Sequence, residues 1–297
     1  MTWFRRGVTS ATMTDDPAIS DKLRALGISM PSTAPEATGA SLSAGQEMGR
    51  RDFQHHMLRQ ALRGAYAAPI GEPAAILDVG CGTGRWALEM AERFPRARVI
   101  GVDHTLPGAL ATPSARPANL AFVAADVVEG LPFADAAFDF VHMRLLLGAF
   151  PVARWPSIAR ERVRVTRLGG WVELVEGDLP RGGGPAQEAL NGWIIRAGLP
   201  RGVDPRLGVR IGDLLRDAGL SEVETRELTL PIGEALGGRV GAMMAVAFQS
   251  GVEALRAEIV TQGIATPREI DQVVAAMTFE MTRWHYVQPF HLAFGQR

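Results

Sequence analysis

From residue 74 onward the chain alternates between two textures. Short apolar runs read as strands at 74–79, 97–103 ("ARVIGVD"), 119–126 ("NLAFVAAD"), 138–143 ("FDFVHM") and 171–177 ("WVELVEG"). Runs this uniformly apolar fit burial on both faces of a sheet. Between them, apolar residues recur at helical spacing. Trp86, Leu88, Met90, Ala91 and Phe94 mark one helix, stopped by Pro95, and 153–168 marks another, ended by Gly169 and Gly170; both follow the period and stop signals of helices. Alternating strands and helices predict a parallel sheet covered on both faces.

The flanks differ. Residues 1–45 are rich in Ser, Thr, Ala, Pro and Gly, which predicts a flexible tail with at most a short helix at 21–26. From Gln46 the texture changes, and Met48, Phe53, Met57, Leu58, Ala61 and Leu62 share one helical face. After the fifth strand come helices at 184–198 and 208–220 and an alternating strand at 221–232. Helices at 237–260 and 266–285 and a last strand at 286–296 follow, without internal repeat. A single domain over 46–297 is expected. Region 233–285 lies between the last two strands, where an insertion leaves a sheet intact. Met243, Met244, Ala247, Phe248 and Val252 fall on or near one face of it. Flexible methionines suit an adaptable apolar pocket, so 233–285 is expected to form a helical cover that chooses the substrate.

Candidate chemistry gathers where the predicted strands end. "DVGCGTG" (78–84) joins the first strand to the first helix through Gly80, Gly82 and Gly84. Glycines there permit positive φ and close approach of a ligand, and the helix start offers unpaired N–H groups. Asp103, Asp126, Met143 and Glu176 lie at the ends of the next four strands, the edge where open α/β sheets bind ligands. Glycine spacing alone does not name the ligand. Arg85 stands where a dinucleotide fingerprint needs its third glycine, and no Lys-Ser/Thr pair makes a phosphate loop.

Composition narrows the classes. Of 297 residues, 47% are hydrophobic and 21% charged, as in ordinary globular proteins. A net charge of −1 offers no bulk attraction to nucleic acid or an anionic membrane. One cysteine, Cys81, excludes an intrachain disulfide and a cysteine-rich metal site, and no H-x-x-x-H spacing occurs. No apolar stretch approaches the roughly 18–20 residues that span a bilayer. Arg5 and Arg6 are not followed by a signal-like apolar core, so a cytoplasmic location is expected.

These residues resemble a class I S-adenosylmethionine-dependent methyltransferase. "DVGCGTG" matches the family's D/E-x-G-x-G-x-G motif, Asp103 and Asp126 stand at its two acidic positions, and "GLPFADAAFDFVHMR" and "VTRLGGWVELVE" resemble its fourth- and fifth-strand motifs. The helix "RRDFQHHMLRQAL" resembles a branch holding bacterial members and fungal regulators of secondary metabolism. The resemblance implies a Rossmann-like α/β fold with a mostly parallel seven-stranded sheet, an N-terminal helix and a helical insertion near the C-terminus. It implies S-adenosyl-L-methionine as cofactor, with Gly80, Gly82 and Gly84 beneath the methionine part and ribose, and Asp78 orienting the turn and the amino group. Asp103 would hold both ribose hydroxyls, contacts existing only with ligand. Asp126 would hold the adenine amine beside the Val127 N–H. Cys81 and His104 adjoin these positions and join the cofactor set, and Trp86 and Met143 are expected to wall the site.

Methyl transfer is an in-line displacement, so alignment dominates. A neutral oxygen or carbon acceptor also needs a base. Glu176 and His142 are the candidate catalytic residues, with His55 and His56 behind them; Glu173, mid-strand, is expected to pair with an arginine. No metal is expected. Small-molecule acceptors are favoured over nucleic acid. A regulator that binds the cofactor without turnover remains the alternative.

Overall fold

The computed structural model describes residues 44–106 and 116–297. The expected tail at 1–45 therefore lies almost wholly outside the described residues. Among the described residues one helix precedes the sheet, α1 (Ala44–Ala61). Seven strands follow: β1 (Ala75–Val79), β2 (Arg98–Asp103), β3 (Leu120–Ala124), β4 (Phe138–Arg144), β5 (Thr166–Gly177), β6 (Ser221–Pro231) and β7 (Val287–Gln296). Helices α2 (Arg85–Arg93), α3 (Trp155–Val165), α4 (Pro185–Gly198) and α5 (Ile211–Asp217) connect them, and α6 (Glu234–Thr261) and α7 (Pro267–Glu280) stand between β6 and β7.

The strands form one sheet in the order β3-β2-β1-β4-β5-β7-β6. β1 to β5 pair in parallel, whereas β7 runs antiparallel to both β5 and β6. The order reverses beside β1, so the turn after β1 opens onto the crevice where such sheets bind ligands. Burial follows strand position. β1 is buried at every residue, while β6, at the edge, is largely exposed.

Three apolar clusters hold the layers. Val79, Val141 and Met143 pack with Trp155 and Ile158 of α3 and Ile211 and Leu215 of α5 on one face. Ile76, Phe140 and Val175 pack with Trp86 and Met90 of α2 on the other. The third cluster joins Phe53, Met57 and Leu58 of α1 to Met243, Met244 and Val252 of α6, Ile270 and Met277 of α7 and Phe290 of β7. The apolar face of the N-terminal helix thus packs against the insertion.

Several boundaries moved. β3 ends at Ala124 and leaves Asp126 in the following loop. The helix expected to reach 168 ends at Val165, where β5 begins at Thr166. α6 carries non-helical dihedrals at Gly238 (φ 51°), so its first turn is set off from the rest. α7 starts from a capping box in which the Thr266 side chain and Glu269 satisfy each other's backbone N–H groups. Among the described residues no helix is long and apolar enough to cross a membrane.

Candidate active site

The site begins with the turn after β1. Gly80, Gly82 and Gly84 all have positive φ, at 71°, 53° and 75°. The Gly80 and Cys81 N–H groups donate to the Val102 carbonyl at 2.8 and 3.0 Å, and the Gly82 N–H donates to Asp103 Oδ2 at 2.8 Å. A Cβ on Gly80 would run into the Leu146 side chain. Any other residue there would be strained by the positive φ and would have to displace the Leu146 side chain.

Beside this turn lies a cavity of about 190 Å³ lined by Asp78, Gly80, Cys81, Gly82 and Trp86 and, from α1 and the end of β4, by Arg50, Arg51, Gln54, His55 and Arg144. Asp78 is buried. Its Oδ1 lies 3.3 Å from His142 Nδ1, while Oδ2 is buried without a hydrogen-bond partner. A buried acceptor without a donor is costly unless a ligand supplies one. Arginines suit a carboxylate. Arg50 and Arg51 share Glu47, whereas among the described residues the Arg144 guanidinium hydrogen-bonds only His55 Nδ1, at 2.7 Å. An unspent carboxylate oxygen and guanidinium groups around one small cavity fit the ammonium and carboxylate of an amino acid. Asp103, at the end of β2, is tied to the same turn through the Gly82 N–H.

A second cavity, of about 360 Å³, adjoins the first and shares Arg50, Gln54 and Leu145 with it. Its walls are mostly apolar: Met57 of α1, Ile194 and Ala197 of α4, Met244, Ala247, Phe248, Val252 and Leu255 of α6, and Phe290 of β7.

A methyltransferase-domain family model matches residues 76–170, the segment from β1 into β5. Methyltransferase pytC of Aspergillus terreus is 31% identical over 243 residues, spanning 76% of this chain and 72% of the relative. This chain belongs to the S-adenosylmethionine-dependent methyltransferases. Secondary metabolism regulator laeA of Aspergillus fumigatus is 32% identical over 200 residues, covering 63% of this chain and 51% of the regulator. A putative methyltransferase from an antibiotic biosynthesis pathway of Anabaena variabilis shares the fold, with a TM-score of 0.54 at 15% identity, over 81% of this chain and 97% of that one. The methyltransferase uses S-adenosylmethionine, and the residues fit it. Asp78 Oδ2 would take the amine and Arg144 the carboxylate, and Asp103 would keep lone pairs for the ribose.

Several expected site residues stand elsewhere than the sequence suggested. Met143 does not wall the site, because it points to the opposite face of β4 into the packing against α3. His142 is 1% exposed and stacked on Trp86 at 3.9 Å between centroids, with Nδ1 on Asp78 and Nε2 3.8 Å from Glu173. Burial holds its pKa below the usual histidine value. It is a neutral residue that positions Asp78, with no nitrogen presented to an acceptor. Among the described residues Glu173 pairs with no arginine; its Oε2 accepts the Ala67 and Ala68 N–H groups at 2.8 and 2.7 Å. Glu176 does line the second cavity, but its two oxygens accept the Leu146 and Leu147 N–H groups at 2.9 and 3.0 Å. Burial raises its pKa to about 8. The structure makes it a brace for the turn after β4, in place of a free base.

The remaining positions fall in two groups. Cys81 is buried in the turn, and burial pushes its thiol far above the usual range, which removes it as a nucleophile. Asp126 is exposed and caps its own loop, accepting the Val128 N–H at 2.9 Å, while the Val127 side chain joins the core. His104 is exposed against Thr105 Oγ1 at 3.0 Å. Neither cavity is lined by Asp103, His104, Asp126 or Val127. Part of the loop after Asp103 lies outside the described residues. His55 lines the first cavity and sits between Glu89 and Arg144; burial lowers its pKa. His56 packs edge-on against it. Beside the ribose contacts expected of it, Asp103 also holds the Gly82 N–H without ligand.

Sequence reasoning missed Arg50, Arg51, Gln54, Arg144 and Leu145. The first three lie on the polar side of α1, where His55 and His56 are the residues that stand out by their chemistry. Arg144 lay one residue past the expected strand end. Among the described residues, no group of three or more His, Cys, Asp or Glu is arranged to hold a metal ion.

Proposed function

We propose that this methyltransferase methylates a small-molecule acceptor bound in the larger cavity. The carrying observation is the shared wall. Arg50, Gln54 and Leu145 line both cavities, so a donor in one and an acceptor in the other meet across three side chains. The cofactor supplies an electrophilic methyl on a sulfonium. The chain's residues supply alignment: the glycine turn and Asp78 hold the donor end, and the α1–α6 wall holds the acceptor and excludes water. Neither His142 nor Glu176 is needed as a proton acceptor in this reading; the acceptor atom, oxygen, nitrogen or carbon, stays open.

Incubation with labelled S-adenosylmethionine and a metabolite extract tests it. Labelled small-molecule products and S-adenosylhomocysteine in equal amounts support the reading. A second reading, a cofactor-binding regulator acting through a partner, is favoured by the likeness to a protein named as a secondary metabolism regulator. Tight S-adenosylhomocysteine binding without any turnover would select that reading.

A further inference from the structure

The acceptor cavity contains charged side chains, yet each is already engaged. Arg50 is held by both oxygens of Glu47 at 2.6 and 2.7 Å. Arg201 is held by Glu258 at 2.9 Å and by the Gly148 carbonyl at 3.0 Å. Glu176 is taken by two backbone N–H groups, and Asp178 by the Leu179 N–H at 2.6 Å and His291 Nε2 at 3.2 Å. The Gln288 amide donates to the Asp178 carbonyl. Of the polar side chains lining this cavity, only the half-buried Gln54 amide has no protein partner among the described residues. It stands on the wall shared with the cofactor groove.

We propose that the enzyme takes an uncharged, largely hydrocarbon acceptor, and that Gln54 holds its hydroxyl or N–H group beside the methyl donor. This rests on the larger cavity being the acceptor site. A carboxylate, phosphate or ammonium entering it would lose part of its water and find no free counter-charge, a penalty that sets it below an uncharged group of the same shape. The Gln54 amide donates and accepts, so it orients a hydroxyl or N–H whatever its direction. At about 360 Å³ the space lies within the roughly 300–1,000 Å³ range of pockets for drug-sized molecules.

The test uses protein loaded with S-adenosylhomocysteine and four probes: para-heptylphenol, heptylbenzene, para-heptylbenzoate and para-heptylbenzylamine. Calorimetry should rank the phenol first, heptylbenzene next, and the anion and cation about tenfold or more below the phenol. Gln54→Leu keeps the bulk but removes the amide, and should erase the preference for the phenol over heptylbenzene. A Cβ on Gly251 meets nothing within 4 Å, and Gly251 lines the cavity. Gly251→Leu should therefore fill the space, abolish probe binding and leave S-adenosylhomocysteine affinity unchanged. Charged probes binding as tightly as the phenol, an intact phenol preference in Gln54→Leu, or no probe binding would each overturn the proposal while cofactor binding persists. Probes that bind normally to Gly251→Leu would instead overturn the placement of the acceptor site itself.

Discussion

The Glu176 carboxylate reaches from the end of β5 to the Leu146 N–H at 2.9 Å, and its other oxygen takes the Leu147 N–H at 3.0 Å. The residue before them, Leu145, has φ 55°, a left-handed conformation that costs a non-glycine residue roughly 1–2 kcal/mol. Leu145 is one of the three residues that line both cavities. A buried carboxyl group thus holds a strained turn on the wall that the two cavities share. Glu176→Ala orphans two N–H groups and should destabilise the fold by about 1–3 kcal/mol. It should also lower kcat more than cofactor affinity; urea unfolding and turnover measured on the same sample check this.

The same carboxyl makes stability depend on pH. Burial raises Glu176 to about 8 and Glu173 to about 7, above the ordinary 4.5. The folded protein keeps protons that the unfolded chain releases, so this contribution is full below pH 4.5 and is lost as pH rises toward 8. His55 and His142 act oppositely: their folded values lie below 6.5, so their contribution holds above 6.5 and is lost as pH falls. Glu176→Gln removes one of the rising-pH losses. Its stability relative to wild type should improve between pH 5 and pH 8. A difference that stays constant over that range would mean Glu176 titrates normally.

Asp78 Oδ2 is the buried acceptor awaiting a donor. A charge-assisted hydrogen bond contributes about 1.5–3 kcal/mol, so Asp78→Asn should weaken S-adenosylhomocysteine binding by roughly ten- to a hundredfold. Calorimetry against S-adenosylhomocysteine and against adenosine separates the causes. Adenosine lacks the amino-acid end, and its affinity should barely change.

Gly80→Ala combines positive φ with a clash against Leu146. Thermal unfolding without ligand should show a loss of roughly 1–3 kcal/mol, accompanied by weaker cofactor binding. Unchanged binding with lowered stability would separate the turn from the cofactor.

Met244 is buried among α1 and α6 side chains and lines the larger cavity, the proposed acceptor site. Met244→Trp should reduce acceptor methylation at least tenfold by filling that space, with cofactor affinity near wild type. Equal loss of both would mark Met244 as packing alone.

The sequence by itself determined what depends on near neighbours. Apolar runs and helical spacing located all seven strands and the main helices, because period and burial are local properties. The glycines at 80, 82 and 84 disclosed their turn, since few other residues tolerate its dihedrals. Only the tertiary structure decided which faces and partners those residues meet. Met143 and His142 are adjacent, yet alternation on β4 sends one into the α3 layer and the other behind Asp78. Arg144 meets His55 across 89 residues, and Glu176 braces a turn 30 residues earlier. Register and crossover bring such groups together, so whether a buried acid serves as base or brace is decided by the backbone N–H groups packed against it.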